Sequence, residues 1–461
     1  MLINRRSYKK EIALQNDVFW GIKIEAEGLD DTYHNYNLIS DNYSGHADST
    51  LSETVWLHKL DISLNGKHID NYPLEERLKP VSIKETDIIP LSFSGFHGFE
   101  KIPELKTQNV IAIGESVHGS ESVFNSAAQI IKYQVLNNNC KLVCLEMMAE
   151  KMFVVNRFIQ GDKTVTPEFI RNYLLETCGS LNSLLSPSKL NELCLWLRDY
   201  NKTATEQVWL LGMDFEYISE CRRKAMSCYF KTVNNSLKSA DIEDIITLMS
   251  KTVREIQRND FVNIRELWDK GKFQLSPFLG SQEFAMIERS MNEIINQEIP
   301  LDIKKVVFRD SIMAANFLYY QNLICNDNDK SLVYAHFLHT EYADLSYGIP
   351  MGQYLRQQFG ANYFHIAVTV GSGEICSSFS ISPDTLQTPV NNSIEDVLSR
   401  QKEDYCYLSA NKIAGSYVKR RFSGLMPEKN QFPYGYISPA DRMGGVIFIR
   451  NSKATDFPKL Q

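Results

Sequence analysis

The sequence predicts an α/β fold: a mainly parallel central sheet with flanking helices and a helical insertion or cap, preceded by a small N-terminal β module. Three observations predict it. Short apolar runs recur with little polar alternation, as strands covered on both faces require. Stretches with helical spacing of apolar residues lie between them. At least four of the five runs end in groups able to do chemistry, at the strand ends where open α/β sheets place their ligands.

The first hundred residues differ in texture from the rest. Phe19–Ala26 and Val55–Leu64 alternate between apolar and polar residues, and Asn65-Gly66 is a strong hairpin signal. Residues 1–90 therefore read as a β-rich module, expected to brace the main domain, with Pro73 to Pro90 as its connector. Residues 91–461 form the main domain, its core beginning near Phe99. The first run, Val110–Ile113, leads into Gly114, Glu115 and His118. Val123, Phe124, Ala127, Ala128, Ile131, Val135 and Leu136 then recur at three- and four-residue spacing, a helix stopped by Asn137-Asn138-Asn139. Leu142–Leu145 is the second run and ends in Glu146. Residues 147–201 read as helices. Val208–Leu211 precedes Gly212-Met213-Asp214, Leu332–Ala335 precedes His336 and His339, and Phe364–Val370 precedes Gly371-Ser372-Gly373. Between the third and fourth runs, residues 217–320 show amphipathic helices such as Ile242–Ile256 and Glu283–Ile295, with a break at Pro277–Gly280. This is the expected insertion or cap, which would shape access to a site at the strand ends.

Composition excludes several classes. A net charge of −7, with basic residues interspersed among acids, is no electrostatic footprint for nucleic acid. No span approaches the ~20 apolar residues of a transmembrane helix, so no membrane partner is expected. Arg5 and Arg6 are followed by no apolar signal region. The nine cysteines are odd in number and none forms a C-x-x-C pair, which speaks against a disulfide scaffold and a zinc ribbon. A reducing cytoplasm is the expected compartment. The oligomeric state is not legible.

Two constellations carry chemistry. Glu115 and His118 stand three residues apart at a predicted strand end, where a carboxylate–imidazole couple can activate water or merely cap a helix. His336 and His339 have a spacing that turns both rings into one site if the segment is helical. With Glu146 these residues admit two readings. In one, Glu115, His118, Glu146, His336 and His339 ligate a divalent metal. In the other no cofactor is needed, one histidine being the base and the others polarising a carbonyl. Arg309 suits an oxyanion or a structural ion pair with Asp310. Serine-nucleophile chemistry fits poorly, since there is no G-x-S-x-G elbow, and no Walker motif is present.

These residues also carry a resemblance. Gly114-Glu115-Ser116-Val117-His118-Gly119-Ser120 resembles the GE-x-x-HG-T motif of the erythromycin esterase family. In the same order follow Leu145-Glu146, Val155–Gly161 with Asn156, Trp196–Asn201, Gly212-Met213-Asp214, Arg309–Asn316, Ala335-His336-x-x-His339, and Met351-Gly352 with Leu355-Arg356. The resemblance spans roughly residues 100–450. It implies a divergent erythromycin esterase-like hydrolase that cleaves a cyclic ester with activated water and generally without a metal. Glu115 and His118 would handle the water, Glu146, His336 and His339 would line the same cleft, and Arg309, Asp214, Ser120 and Asn156 would contact substrate.

The sequence departs from the family at two places. Ala127 stands where an arginine is usual, and Phe337 replaces the asparagine of AHN-x-H. The expected substrate is thus another ester, a lactone or an amide, on a small natural product or peptide, rather than a macrolide. Two alternatives stay open: a metal-dependent hydrolase or peptidase using the Glu/His cluster, and a non-hydrolytic tailoring or binding protein on the same fold.

Overall fold

The computed structural model describes residues 81–178, 185–215, 219–296, 306–342, 349–376, 383–386, 388–413, 418–421, 434–437 and 439–455, and four two-residue strands nearer the N-terminus. The alternating segments 19–26 and 55–64 lie almost wholly outside the described residues. Where the chain is described there, Gly21–Ile22 pairs antiparallel with Tyr36–Asn37, and Ser63–Leu64 with Lys67–His68 on either side of Asn65-Gly66.

The main sheet has nine strands: β1 Ile88–Pro90, β2 Val110–Glu115, β3 Cys140–Met148, β4 Trp209–Asp214, β5 Lys330–His336, β6 Tyr363–Cys376, β7 Pro383–Thr385, β8 Tyr405–Ser409 and β9 Gly445–Ser452. Their order is β1-β8-β9-β6-β2-β5-β3-β4, with β7 paired to β6. From β9 to β4 every neighbouring pair is parallel, whereas β8 pairs antiparallel with both β9 and β1. All five apolar runs are therefore strands of one parallel region. Every residue of β2 and β3 is buried, the signature of a sheet covered on both faces. The antiparallel edge is an addition to the predicted sheet. Its outermost strand, β1, falls within the segment read as a connector and ends in Pro90, which a sheet tolerates at its edge.

Helices fill the connections. Helix α1 (Glu121–Asn137) follows β2; α2 (Ala149–Ile159), α3 (Pro167–Cys178) and α4 (Pro187–Asn201) follow β3. Between β4 and β5 the described chain is built on helices: α5 (Ser219–Leu237), α6 (Ala240–Met249), α7 (Arg258–Leu275), α8 (Ser281–Asn296) and α9 (Val306–Ile324). They cover the predicted insertion, with the break at Pro277–Gly280 falling between α7 and α8. Their apolar faces join the core of the sheet, with Trp268, Met286, Ile287 and Met291 buried. No helix among the described residues is long and apolar enough to cross a membrane.

Candidate active site

Four adjacent strands bring functional groups to one edge of the sheet. In spatial order, β2, β5, β3 and β4 deliver Glu115, His336, Glu146 and Asp214 at or near their carboxyl ends. Glu115 and His336 are direct cross-strand partners. Immediately beyond β5 comes the single turn α10 (Phe337–Thr340), which carries His339, and then α11 (Met351–Phe359). This turn packs against β2 so closely that a Cβ on Gly114 would collide with Thr340, His365 and the Phe337 backbone. A glycine before Glu115 is thus what lets the two histidines approach the Glu115 strand.

Glu115 and His118 form one unit. The imidazole Nδ1 lies 2.6 Å from Glu115 Oε1, and the Tyr334 hydroxyl donates to Oε2. Both carboxylate oxygens are therefore engaged, and His118 Nε2 has no protein partner among the described residues. Burial raises the Glu115 carboxyl above its ordinary range, while the His118 and Tyr334 bonds pull it back. The His118 and His336 ring centroids are 4.6 Å apart. His336 caps α10, its Nδ1 accepting from the Leu338 amide at 3.4 Å. That bond fixes the tautomer: the proton sits on Nε2, which is buried and has no partner among the described residues. Burial, reinforced by the neighbouring His118, holds His336 neutral, well below the usual histidine range.

The other half of the cluster is ionic. Arg309, on α9, donates through Nη2 to Glu146 Oε1 at 2.7 Å and through Nε and Nη2 to Asp214 at 2.9 and 2.6 Å. His339 places Nε2 3.3 Å from Glu146 and Nδ1 2.8 Å from Asp310. Asp310 in turn accepts from the Met351 amide at 2.8 Å, tying α9 to the start of α11. The second oxygen of Glu146 accepts from the His336 backbone N–H at 2.6 Å. Burial opposes charge at Glu146, yet His339 and Arg309 hold its carboxyl well below the usual range. His339 moves the other way: despite burial, Glu146 and Asp310 raise it to about 10, so it is charged at neutral pH. Arg309 therefore meets Glu146 and Asp214 from separate strands while also pairing with neither Asp310 oxygen.

Of the residues singled out in the sequence, Glu115, His118, Glu146, His336, His339, Arg309 and Asp214 come together. Ser120 and Asn156 do not. Ser120 is the N-cap of α1, accepting from the Val123 amide at 3.1 Å and bonding Ser452 at 2.7 Å. Asn156 braces α2 to β4, its side-chain oxygen accepting from the Leu210 amide at 3.3 Å. Both side chains spend their hydrogen bonds on the fold. Ala127 is fully buried on the core face of α1, and Lys132 lies over the Trp196 ring, away from the cluster. Phe337 packs against His336 and carries the Arg420 guanidinium 4.0 Å above its ring. Tyr334 is the member of the cluster that the sequence did not single out. It stands two residues before His336, and period-two alternation puts both on one face of β5.

Several of the candidate metal ligands are engaged by other protein groups. Glu146 and Asp214 already share a guanidinium, both nitrogens of His339 face partners, and His118 Nδ1 is engaged by Glu115. Among the described residues no group of three or more His, Cys, Asp or Glu side chains is arranged to hold a metal.

Comparison with known proteins agrees with this architecture. The family profile described as "Erythromycin esterase" matches residues 279–452, which include Arg309, His336 and His339. Over that segment the chain is similar to the erythromycin esterase family. An erythromycin esterase type II of Escherichia coli is 21% identical over 338 residues, covering 63% of this chain and 78% of that protein. Among solved structures, a Bacillus cereus protein from a structural-genomics programme superposes with a TM-score of 0.58 at 18% identity, covering 81% of this chain and 97% of that one. A succinoglycan biosynthesis protein gives 0.59 at 16% identity, covering 81% and 96%. An erythromycin esterase mutant in its open conformation gives 0.50 at 14% identity, covering 79% and 98%. At such identities the structural likeness is one of fold. For the erythromycin esterase-like chain, the family suggests a hydrolase.

Proposed function

We propose that the chain hydrolyses a carboxylic ester or lactone, or an amide, using water activated by His118. The observation that carries this reading is the 2.6 Å His118–Glu115 bond, with Tyr334 on the far carboxylate oxygen and His118 Nε2 left without a protein partner. Glu115 accepts a hydrogen bond from Nδ1–H, which keeps that proton on Nδ1 and leaves the lone pair on Nε2 facing outward. Nε2 takes a proton from water as its oxygen attacks the carbonyl carbon, and Glu115 stabilises the imidazolium that forms. The tetrahedral oxyanion meets the unpartnered Nε2–H of His336, a neutral donor beside the charged His339 and Arg309. Collapse breaks the bond to the leaving group, which recovers the proton from His118. Glu146 positions rather than reacts, since it holds His339, Arg309 and the His336 backbone at once.

The substrate in this reading is a small molecule or peptide rather than a macrolide. Support comes from Ala127 and Phe337, which put apolar groups where the family carries polar ones. The compartment in this reading is the cytoplasm, in keeping with eight free thiols among the described cysteines.

The test is a panel of ester, lactone and amide substrates assayed with wild type and His118→Asn, each with and without chelator. Turnover in wild type, unaffected by chelator and reduced roughly 10³-fold in the variant, is the expected result. Full turnover in His118→Asn, or loss of wild-type turnover to chelator, would overturn it.

A further inference from the structure

Behind Asp214 a narrow crevice leads away from the cluster, between the end of β4, the start of α2 and the cap helices α5, α8 and α9. It has about 10 Å³ of room, enough for one water or one polar substituent of similar size. Its walls are mostly polar, with Ala149, Phe215 and Tyr320 as the exceptions. Arg222 is 3% exposed and binds Glu150 Oε1 through Nε and Nη2 at 2.9 and 2.5 Å, and Glu293 through Nη2 at 2.8 Å. Its remaining terminal nitrogen, Nη1, is buried without a partner among the described residues. Glu150 accepts both Arg222 bonds on Oε1, leaving Oε2 without a partner among the described residues. The Ser290 hydroxyl is likewise unpartnered there.

A buried donor left without an acceptor costs roughly 1–3 kcal/mol, so the crevice is built around something that it receives. Charge selects what that is. An anion entering would face Glu150, Glu293 and Asp214, and a cation would face Arg222 and Arg289. A neutral group that both donates and accepts suits the unmatched pair, Nη1–H on one side and a carboxylate oxygen on the other. Asp214 is common to the crevice wall and to the Arg309 network, so the crevice adjoins the ionic half of the cluster.

The geometry points to this crevice as a specificity subsite for a substrate hydroxyl, with Arg222, Glu150 and Ser290 as its recognition groups and a hydroxylated ester as the substrate class. The assignment of substrate class rests on the hydrolase reading above. The hydroxyl oxygen accepts from Arg222 Nη1–H, the hydroxyl donates a hydrogen bond to Glu150 Oε2, and the Ser290 hydroxyl supplies a further partner for the same group. An analogue lacking the hydroxyl leaves both groups dry and unpaired, a strong basis for rejection.

The experiment compares two esters of matched shape, 6-O-acetylglucose and cyclohexylmethyl acetate, by acetate release from wild type, Arg222→Lys and Ser290→Val. A wild-type preference of about tenfold or more in kcat/KM for the sugar ester is expected, falling towards unity in both variants. Using the ratio of two substrates removes any loss of folded or active protein in Arg222→Lys, whose Glu150 and Glu293 lose a fork. A preference near unity in wild type, or one unchanged in both variants, would overturn the subsite and leave the crevice holding water. Binding of methyl glucoside, followed by ligand-observed NMR, reads the subsite without turnover. Saturable binding weakened in both variants, with neither ester cleaved, would keep the subsite and sink the hydrolase reading. Cleavage without preference would do the reverse, and absence of binding together with absence of cleavage would overturn both.

Discussion

His336 and His339 stand three residues apart, yet one is neutral and the other charged. The difference belongs to the two halves of the cluster they sit in. On the Glu115 side a single carboxylate serves His118 and Tyr334, and two ring nitrogens, Nε2 of His118 and Nε2 of His336, are left without partners among the described residues. On the Glu146 side three carboxylates close around Arg309 and His339, with both nitrogens of that histidine facing partners. In the proposed reaction the first half supplies the reacting groups, and the second uses its groups to hold shape and field. The backbone joins them: Glu146 accepts the N–H of His336 while attracting the His339 ring. Local sequence cannot set this contrast, because the helical turn between the rings points them to opposite partners.

Removing the shared carboxylate should break the comparison most severely. Glu146→Gln leaves His339 with Asp310 alone and Arg309 with Asp214 alone. Breaking a fully buried ion pair costs about 3–5 kcal/mol, but Arg309 retains a partner and its side chain is 27% exposed, so a loss of about 2–3 kcal/mol is expected. Urea denaturation of variant and wild type measures it. A loss below about 0.5 kcal/mol would mean the ionic half does not hold the fold.

The pH dependence of stability sharpens the same contrast. His339 is raised in the folded chain from 6.5 to about 10, so its contribution is fully present below pH 6.5 and is lost as pH rises through 10. Glu146 is depressed, so its contribution is present above pH 4.5 and is lost as pH falls through the lower folded value. The ionic half is therefore strongest between the two reference values, at mildly acidic pH. Replacing His339 with Gln should flatten the alkaline decline in the urea midpoint. His336, held neutral well below its reference value, acts with the opposite sign: it disfavours folding below about pH 6.5. An alkaline limb of equal slope in wild type and His339→Gln would show that His339 is not held charged.

The sheet and most of the cluster are legible because buried parallel strands leave little room for polar residues except at their ends. An apolar run stopped by Glu115, Glu146, Asp214 or His336 marks both a strand and its functional edge. What escapes is decided by contacts between distant segments. Arg309 meets Glu146 and Asp214 from 163 and 95 residues away, which no local spacing encodes. Tyr334 reads as core because an aromatic in an apolar run is usually packed, although its register with His336 gives it away. Ser120 and Asn156 stand apart from the cluster for the converse reason: a polar residue in a sequence motif can be consumed by a helix cap or a helix-to-strand brace. Ile88–Pro90 is too short to show a period, and its pairing with β8 is set by residues more than 300 positions later.

A smaller perturbation tests whether the Glu115 half is tuned as well as assembled. Tyr334→Phe deletes one hydrogen bond to the charged form of Glu115, a loss of about 1.5 kcal/mol for a bond to an ionised group. The Glu115 carboxyl should rise further, since burial is then opposed by His118 alone. Turnover should fall about tenfold at pH 7, and the acid limb of its pH profile should move to higher pH. The conservative change leaves the ring packed against Phe124, so stability lost beyond the bond itself is not expected. An unchanged acid limb would remove Glu115 from the titration that governs activity and leave it a purely structural partner of His118.

The smallest effect distinguishes the cluster from its surroundings. Ser120 lies in the same short motif as Glu115 and His118, but its hydroxyl receives the Val123 amide at the start of α1. Ser120→Ala should cost about 1 kcal/mol, the usual penalty for losing such a cap, and should shift the urea midpoint without moving the acid limb of the turnover profile. The loss also strands Ser452, whose hydroxyl keeps its bond to the Glu374 carbonyl, so the cost should not grow much beyond the cap. If the variant instead kept full stability and lost turnover, the hydroxyl would have to face the reaction centre rather than the helix. The division between groups held in reserve and groups spent on the fold would then run through the motif at a different residue.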